Sequence, residues 1–287
     1  MKPINPLVVT SRIRDDYARY LRTIYNFNDE ELRREFHASL RQPEYLVKGP
    51  YMEAAPPFRT GRSIAQFIDE GILHSGFRDL CSDALPLNRP LYLHQDQAIA
   101  KVAGSRRNVI VATGTGSGKT ESFLIPIFDA LLREGEAGTL RKPGVRALLL
   151  YPMNALANDQ LKRLRRLLAH FPQITFGRYT GETKENPREA VDAFQRQFRG
   201  AKVVPNELHS RVQMRESPPH LLITNYTMLE YLLLRPKDSE FFDGTTGDHW
   251  RFIVVDEAHT YNGANSIEIA MLLRRLKDRV VHSEAGR

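Results

Sequence analysis

The run Ala112-Thr113-Gly114-Thr115-Gly116-Ser117-Gly118-Lys119-Thr120 leaves this chain few folds to adopt. It follows the apolar stretch Val109-Ile110-Val111 and precedes a helical pattern at Phe123, Leu124, Ile127 and Leu131. Strand, glycine-rich loop and helix, in that order, make a phosphate-binding loop. Glycines let backbone N–H groups turn inward around phosphate oxygens, and the helix N-terminus adds a favourable dipole. The spacing assigns Thr113, Gly114, Thr115, Gly116, Ser117, Gly118, Lys119 and Thr120 to a nucleotide. Lys119 is expected to reach the β- and γ-phosphates of ATP, and the Thr120 hydroxyl to ligate Mg²⁺. One departure stands out: Thr113 occupies a position that is glycine in the strict pattern.

A second feature completes the first. Asp256-Glu257-Ala258-His259 follows the apolar run Phe252-Ile253-Val254-Val255. Two acids at a strand end put carboxylates at the carboxyl edge of a sheet. There Asp256 is expected to hold Mg²⁺, and Glu257 to orient and deprotonate an attacking water. Alone the tetrapeptide is a weak signal, since a strand often ends in solvated acids. Paired with the phosphate loop it reads as catalytic, with Lys119, Asp256, Glu257 and His259 as the reacting set.

After Pro90, β-rich runs at 108–112, 145–151, 174–179, 220–224 and 252–255 alternate with amphipathic segments. That alternation predicts an α/β domain, a mostly parallel sheet flanked by helices. Such sheets bind ligands at the carboxyl ends of their strands, and each motif sits just after one of these runs. Residues 182–219 are polar and aperiodic and read as an insert with some helix. Residues 1–85 read instead as a small helical module. In it Asn28 and Asp29 could cap a helix, and Ser63 with Gln66 has capping-box spacing. The domain boundary is expected near Pro86 and Pro90, giving 1–85 and 86–287.

Composition narrows the partners. Lys plus Arg number 41 against 34 Asp plus Glu, a net charge of +7. A polyanion fits that balance, nucleic acid before membrane, although an ordinary basic surface fits it as well. The single cysteine, Cys81, excludes an intrachain disulfide framework and a cysteine-rich zinc site in this segment. No signal peptide and no membrane-spanning run is present, so a cytoplasmic setting is the expectation.

The order and content of these motifs resemble a DEAH-box superfamily 2 helicase, whose members often relax the position held by Thr113. Tyr92-Leu93-His94-Gln95 resembles the Q motif, which implies that Gln95 reads the adenine edge. Tyr151-Pro152-Met153-Asn154-Ala155-Leu156 resembles motif Ia, and Thr180-Gly181-Glu182-Thr183 the Thr-Gly element of motif Ib. Thr224-Asn225-Tyr226 resembles the next motif. The resemblance makes Pro152, Asn154, Thr180, Gly181, Thr224 and Asn225 candidate contacts to a nucleic-acid backbone. Thr, Asn and Gly serve equally as helix caps and turns. Between Leu156 and Phe171, leucines 161, 164, 167 and 168 form an apolar face. Lys162, Arg163, Arg165 and Arg166 form a charged one, read as solvated in preference to a binding stripe.

The runs at 112–127, 151–160, 221–236 and 256–276 resemble, more closely, a bacterial group of large helicases. That group includes the mitomycin-repair and DISARM phage-defence helicases. It implies a first RecA-like domain preceded by a helical module, acting on single-stranded DNA. Neither a Ser-Ala-Thr motif nor a second RecA-like domain is found after His259. The sequence is therefore expected to be part of a larger protein, with the second domain supplied from elsewhere in the sequence or by a partner chain. The competing expectation is an ATP- and nucleic-acid-binding module that is incompetent alone.

Overall fold

The structure, a computed structural model, describes residues 5–42, 44–48, 57–80, 82–114, 116–198, 200 and 203–281. Cys81 lies outside the described residues. The chain divides into two compact units, Met1–Pro57 and Phe58–Arg287.

The first unit is helical. Pro6–Ile24 starts behind Asn5, whose side chain accepts from the N–H groups of Leu7 and Val8. Glu30–Ser39 is capped by Asp29, which accepts from Leu32 N–H at 2.8 Å. Phe36 meets Tyr25 and Phe27 edge-on, with ring centroids 6.0 and 5.3 Å apart.

The second unit begins earlier than the sequence suggested. β1 (Thr60–Ser63) pairs antiparallel with β2 (Pro90–Tyr92). The expected capping box forms: Gln66 N–H donates to Ser63 Oγ, and Ser63 N–H to Gln66 Oε1. Ile64, Phe67, Phe77, Leu80 and Leu85 join the core beneath the sheet. Burial of these side chains ties residues 58–85 to the sheet domain, so the division falls at Pro57 and not near residue 85.

Five parallel strands make the main sheet: β3 (Ala147–Tyr151), β4 (Phe176–Arg178), β5 (Glu207–Leu208), β6 (Leu221–Asn225) and β7 (Phe252–Val255). Their spatial order is β5-β4-β6-β3-β7. Every residue of β3 is buried, as a central strand covered on both faces requires. Ala147, Leu149 and Tyr151 point into one core, shared with the helices Lys119–Glu136 and Asn154–Leu168. Leu148 and Leu150 point into the other, shared with Tyr226–Leu234 and Ala264–Val281. The result is a three-layer RecA-like α/β domain. No helix among the described residues is long and apolar enough to cross a membrane.

The strand expected at 108–112 does not enter this sheet, and the segment makes no ladder. It keeps a strand's alternation: Val109 and Val111 are half-buried, whereas Ile110 is 98% exposed. Val109 and Val111 face β7 across a cavity of about 330 Å³, which Phe252 to Asp256 line from the other side. The pattern specifies which side chains turn inward; it does not specify the hydrogen bonds that would close this edge.

His220, just before β6, is 4% exposed and accepts from Thr175 N–H through Nδ1 at 3.0 Å. Burial, and then the neighbouring Arg146 guanidinium, push its pKa down to about 4 from 6.5. The folded chain therefore holds His220 neutral, while the unfolded chain takes up a proton below pH 6.5. Its contribution to stability is full above that pH and is lost as pH falls toward 4. It amounts to about 3 kcal/mol. Burial depresses His209 and His249 in the same direction. Denaturant unfolding at about pH 7.5 and pH 4.5 should give a clear drop in stability, visibly smaller in His220→Gln. An equal drop in both proteins would contradict this account.

Candidate nucleotide and nucleic-acid site

Gly118 governs the local shape of the phosphate loop. It lies in the left-handed region (φ 70°, ψ 37°) and starts the helix Lys119–Glu136. A Cβ there would sit 2.6 Å from Gln95 Nε2 and 3.0 Å from Glu121 Oε2. Backbone and neighbours thus both require glycine. Gly116 is also left-handed (φ 74°), and nothing lies within 4 Å of where a Cβ would stand on Gly114 or Gly116. Thr113 Oγ1 and Ser117 Oγ are 2.6 Å apart, a hydrogen bond across the loop that the strict glycine could not make. Lys119 Nζ donates to the carbonyls of Thr113 and Gly114 at 3.0 and 3.3 Å. Thr115 lies outside the described residues.

Gln95 departs from its expected position. It is 3% exposed, and both ends of its amide are engaged. Oε1 accepts from Tyr92 N–H at 2.8 Å, and Nε2 donates to the Gly118 carbonyl at 2.7 Å. In this conformation the amide braces the phosphate loop, and its hydrogen-bonding capacity is spent there instead of facing outward.

Asp256 leaves the end of β7, its N–H donating to the Leu150 carbonyl at 3.0 Å. Lys119 and Asp256 line the same cavity. Burial, and secondarily the charge of Glu257, raise the Asp256 pKa; the Glu257 N–H and the Lys119 ammonium oppose them. Glu257 is left-handed without being glycine (φ 49°, ψ 41°), a strained backbone of the kind found at reactive sites. Its carboxylate lies 3.3 Å from Nδ1 of His259, whose side chain is mostly exposed.

Two phenols near Asp256 carried no signal as a pair in the sequence. Tyr151 is 1% exposed, Tyr261 is half-buried, and neither hydroxyl has a hydrogen-bond partner among the described residues. Burial first raises both pKa values; the Asp256 charge also raises both, that of Tyr261 to about 12.

The remaining candidates lie along the same edge, at the ends of β4, β6 and β3. Asn225 Nδ2 donates to Asn154 Oδ1, and Asn154 Nδ2 to Glu182 Oε1, both at 3.0 Å. Arg178 holds Glu182 at 2.8 Å. Arg211 donates to the Thr180 carbonyl at 3.1 Å. Asn225 also caps Tyr226–Leu234 through Met228 N–H, so its side chain serves as a helix cap as well. Pro152 and Asn154 are half-buried and Gly181 is exposed. Thr180 and Thr224 differ from expectation: both are 0% exposed. Thr224 Oγ1 donates to the Tyr179 carbonyl at 2.6 Å, and Thr180 Oγ1 has no partner among the described residues. Both side chains are turned under the edge, and the Thr224 hydroxyl ties β6 to the backbone after β4. Arg178 and Arg211 are further polar groups here that no motif named.

The charged face of Asn154–Leu168 is likewise not simply solvated. Arg163 pairs with Glu121 of the phosphate-loop helix at 2.5 Å, and Arg165 is buried against Glu207. Lys162 and Arg166 are exposed.

The donor set suits Mg-ATP. Open space among the described residues over Gly114 and Gly116, a lysine within the loop, and the Asp256 carboxylate in the same cavity suit a polyphosphate carrying a hard cation. Among the described residues no group of three or more His, Cys, Asp or Glu could hold a metal. A cation at this place would depend on nucleotide oxygens, as Mg²⁺ commonly does.

The DEAD/DEAH box helicase family model matches residues 92–285. Druantia protein DruE of Escherichia coli strain UMEA 4076-1 is 32% identical over 91% of this chain and 19% of its own length. The ATP-dependent helicase hrq1 of Schizosaccharomyces pombe is 28% identical over 65% of this chain and 14% of its own. The crystal structure of the DUF1998 helicase MrfA aligns with a TM-score of 0.47 at 27% identity, over 66% of this chain and 24% of that one. The chain thus spans about a fifth of DruE's length and less of hrq1's.

Proposed function

The chain belongs to the DEAD/DEAH box helicase family, and on that premise we propose that it is the first motor domain of an ATP-dependent DNA helicase or translocase. The observation that carries this reading is that Lys119 and Asp256, 137 positions apart in sequence, line one cavity at the carboxyl edge of a parallel sheet. Neither motif alone would require that meeting.

In this reading residues 113–120 hold the phosphates of ATP, with Lys119 as the cation at the β- and γ-phosphates. Thr120 and Asp256 hold Mg²⁺, which when bound neutralises charge on the phosphate oxygens. Glu257 takes the proton of the attacking water, a role that suits a carboxylate beside the cation site. His259 lies within 3.3 Å of Glu257 and orients it. Gln95 acts through the loop, holding the Gly118 carbonyl.

Single-stranded DNA lies along the ends of β4, β6 and β3. Gly181, Pro152, Asn154 and Asn225 meet its backbone there, while Thr180 and Thr224 set the shape of that edge. Contacts of this kind carry no sequence information. A second RecA-like domain, from the same protein or a partner, closes over both sites, since a motor needs two bodies that open and close around ATP. The setting is cytoplasmic.

The test is calorimetry of Mg-ATP binding to the 287-residue chain. Lys119→Ala should remove most of the binding, because no other cation in the loop takes its place. Equal affinity in wild type and variant would end the phosphate-loop assignment.

A further inference from the structure

Glu121 stands in the first turn of the phosphate-loop helix and is 7% exposed. A carboxylate at a helix N-terminus is favoured by the dipole. Here, however, it occupies the end of the helix that a triphosphate would use, and two anions at one helix end repel each other. The structure answers this conflict with a cation. Arg163 Nη2 donates to Glu121 Oε1 at 2.5 Å, and Arg89 approaches the same oxygen at 3.8 Å. On its other oxygen Glu121 meets Gln95 Nε2 at 3.5 Å, the amide that holds the Gly118 carbonyl.

Arg163 comes from a different helix, Asn154–Leu168, 42 positions along the chain. That helix begins at Asn154, which is tied to Asn225 and Glu182 at the opposite part of the edge. Its buried face, Leu161, Leu164 and Leu168, packs in the same core as Leu124 and Phe128 of the phosphate-loop helix. One rigid element therefore carries a polar group at the DNA edge and the counter-charge beneath the phosphate loop. Arg163 also acts on the buried Tyr151 phenol, opposing the influence of Asp256 there.

We infer that Arg163 is a positioning residue of the nucleotide site: by neutralising Glu121 it lets the loop accept a polyphosphate, and it ties that affinity to the seating of helix Asn154–Leu168. The inference rests on the nucleotide-binding reading above and adds a residue that no motif assigns. It has a specific electrostatic consequence. Without Arg163, Glu121 is a poorly compensated charge beside Gly118 of the loop, so the loss of affinity must grow with the number of phosphates. A merely structural role would weaken all nucleotides alike.

The experiment is calorimetry of ATP, ADP and AMP, with Mg²⁺, on the 287-residue wild type and on Arg163→Met, Arg163→Lys and Arg163→Met/Glu121→Gln. Circular dichroism checks that each is folded. Arg163→Met should weaken ATP roughly tenfold, ADP less and AMP least, the size expected of one charge a few ångströms from the ligand in a partly screened site. Arg163→Lys should fall between wild type and Arg163→Met, and the double variant should regain most of the ATP affinity because the offending charge is gone. If Arg163→Met does not fold, Arg163→Lys and the double variant carry the same comparison. Equal losses for all three nucleotides, no loss in a folded Arg163→Met, or a double variant no better than the single one would overturn the inference while leaving Lys119-dependent ATP binding intact. A wild type that binds no nucleotide would sink the functional reading and this inference with it.

Discussion

ATP turnover by these 287 residues alone should be slow, and supplying a second RecA-like domain should raise it by roughly three to five powers of ten. The first domain offers the phosphate loop, the Asp256 carboxylate and Glu257. In this family reading the arginines that stabilise charge on the transferring phosphoryl group come from the opposite domain. An arginine of that kind is worth about 10³ to 10⁵ in rate where it has been removed and restored. That is at least comparable to the largest contribution of any single group described here, so its absence should limit turnover by the chain alone. The measurement is steady-state phosphate release with and without the second domain, each in the presence and absence of single-stranded DNA. Stimulation by DNA should appear only when both domains are present. Robust DNA-stimulated hydrolysis by the homogeneous chain alone would overturn the two-domain reading.

The parts of this site that were legible in the sequence are those set by local pattern. Glycine spacing marked the phosphate loop, and apolar runs marked β3, β4, β6 and β7. Short-range caps such as Asp29, and Ser63 with Gln66, followed from spacing alone. What was not legible depends on partners far away in the chain. Arg163 and Arg165 read as a solvated face because the carboxylates that hold them, Glu121 and Glu207, each lie 42 residues distant. Thr224 and Thr180 read as outward-facing hydroxyls because sequence does not tell an exposed loop residue from one folded under the edge. Residues 108–112 carry a strand's alternation, but pairing with β7 is a non-local event that alternation does not specify. The boundary near residue 85 failed for the same reason. Pro86 and Pro90 punctuate the chain, yet Phe67, Phe77 and Leu80 had already committed the preceding segment to the core of the sheet domain. The family resemblance gave the family, while Gln95, Thr180 and Thr224 are buried where it implied outward-facing contacts.

Glu257→Gln should cut turnover in the two-domain protein by roughly two to four powers of ten while leaving ATP bound. The carboxylate follows Asp256 directly, and its backbone is held in a left-handed turn by Thr260, whose N–H and Oγ both donate to the Glu257 carbonyl at 2.9 and 2.8 Å. That turn fixes where the side chain starts, and the strain it carries is tolerated by a position that has work to do. Glutamine has nearly the same shape and can still hold a water, but it cannot accept the proton. Positioned proton transfer contributes typically 10² to 10⁴ in rate, so the loss should lie in that range. Binding should change little, because in the proposed site the phosphates are held by the loop and Lys119. The same substitution at Asp256, by contrast, should weaken Mg-ATP itself, because there the carboxylate is a cation ligand in the proposed site. The two variants are separated by measuring turnover and Mg-ATP affinity on the same protein. If Glu257→Gln loses affinity in step with turnover, the residue is holding the nucleotide. If it keeps both, the proton goes to another group, and the assignment of Glu257 as the base fails.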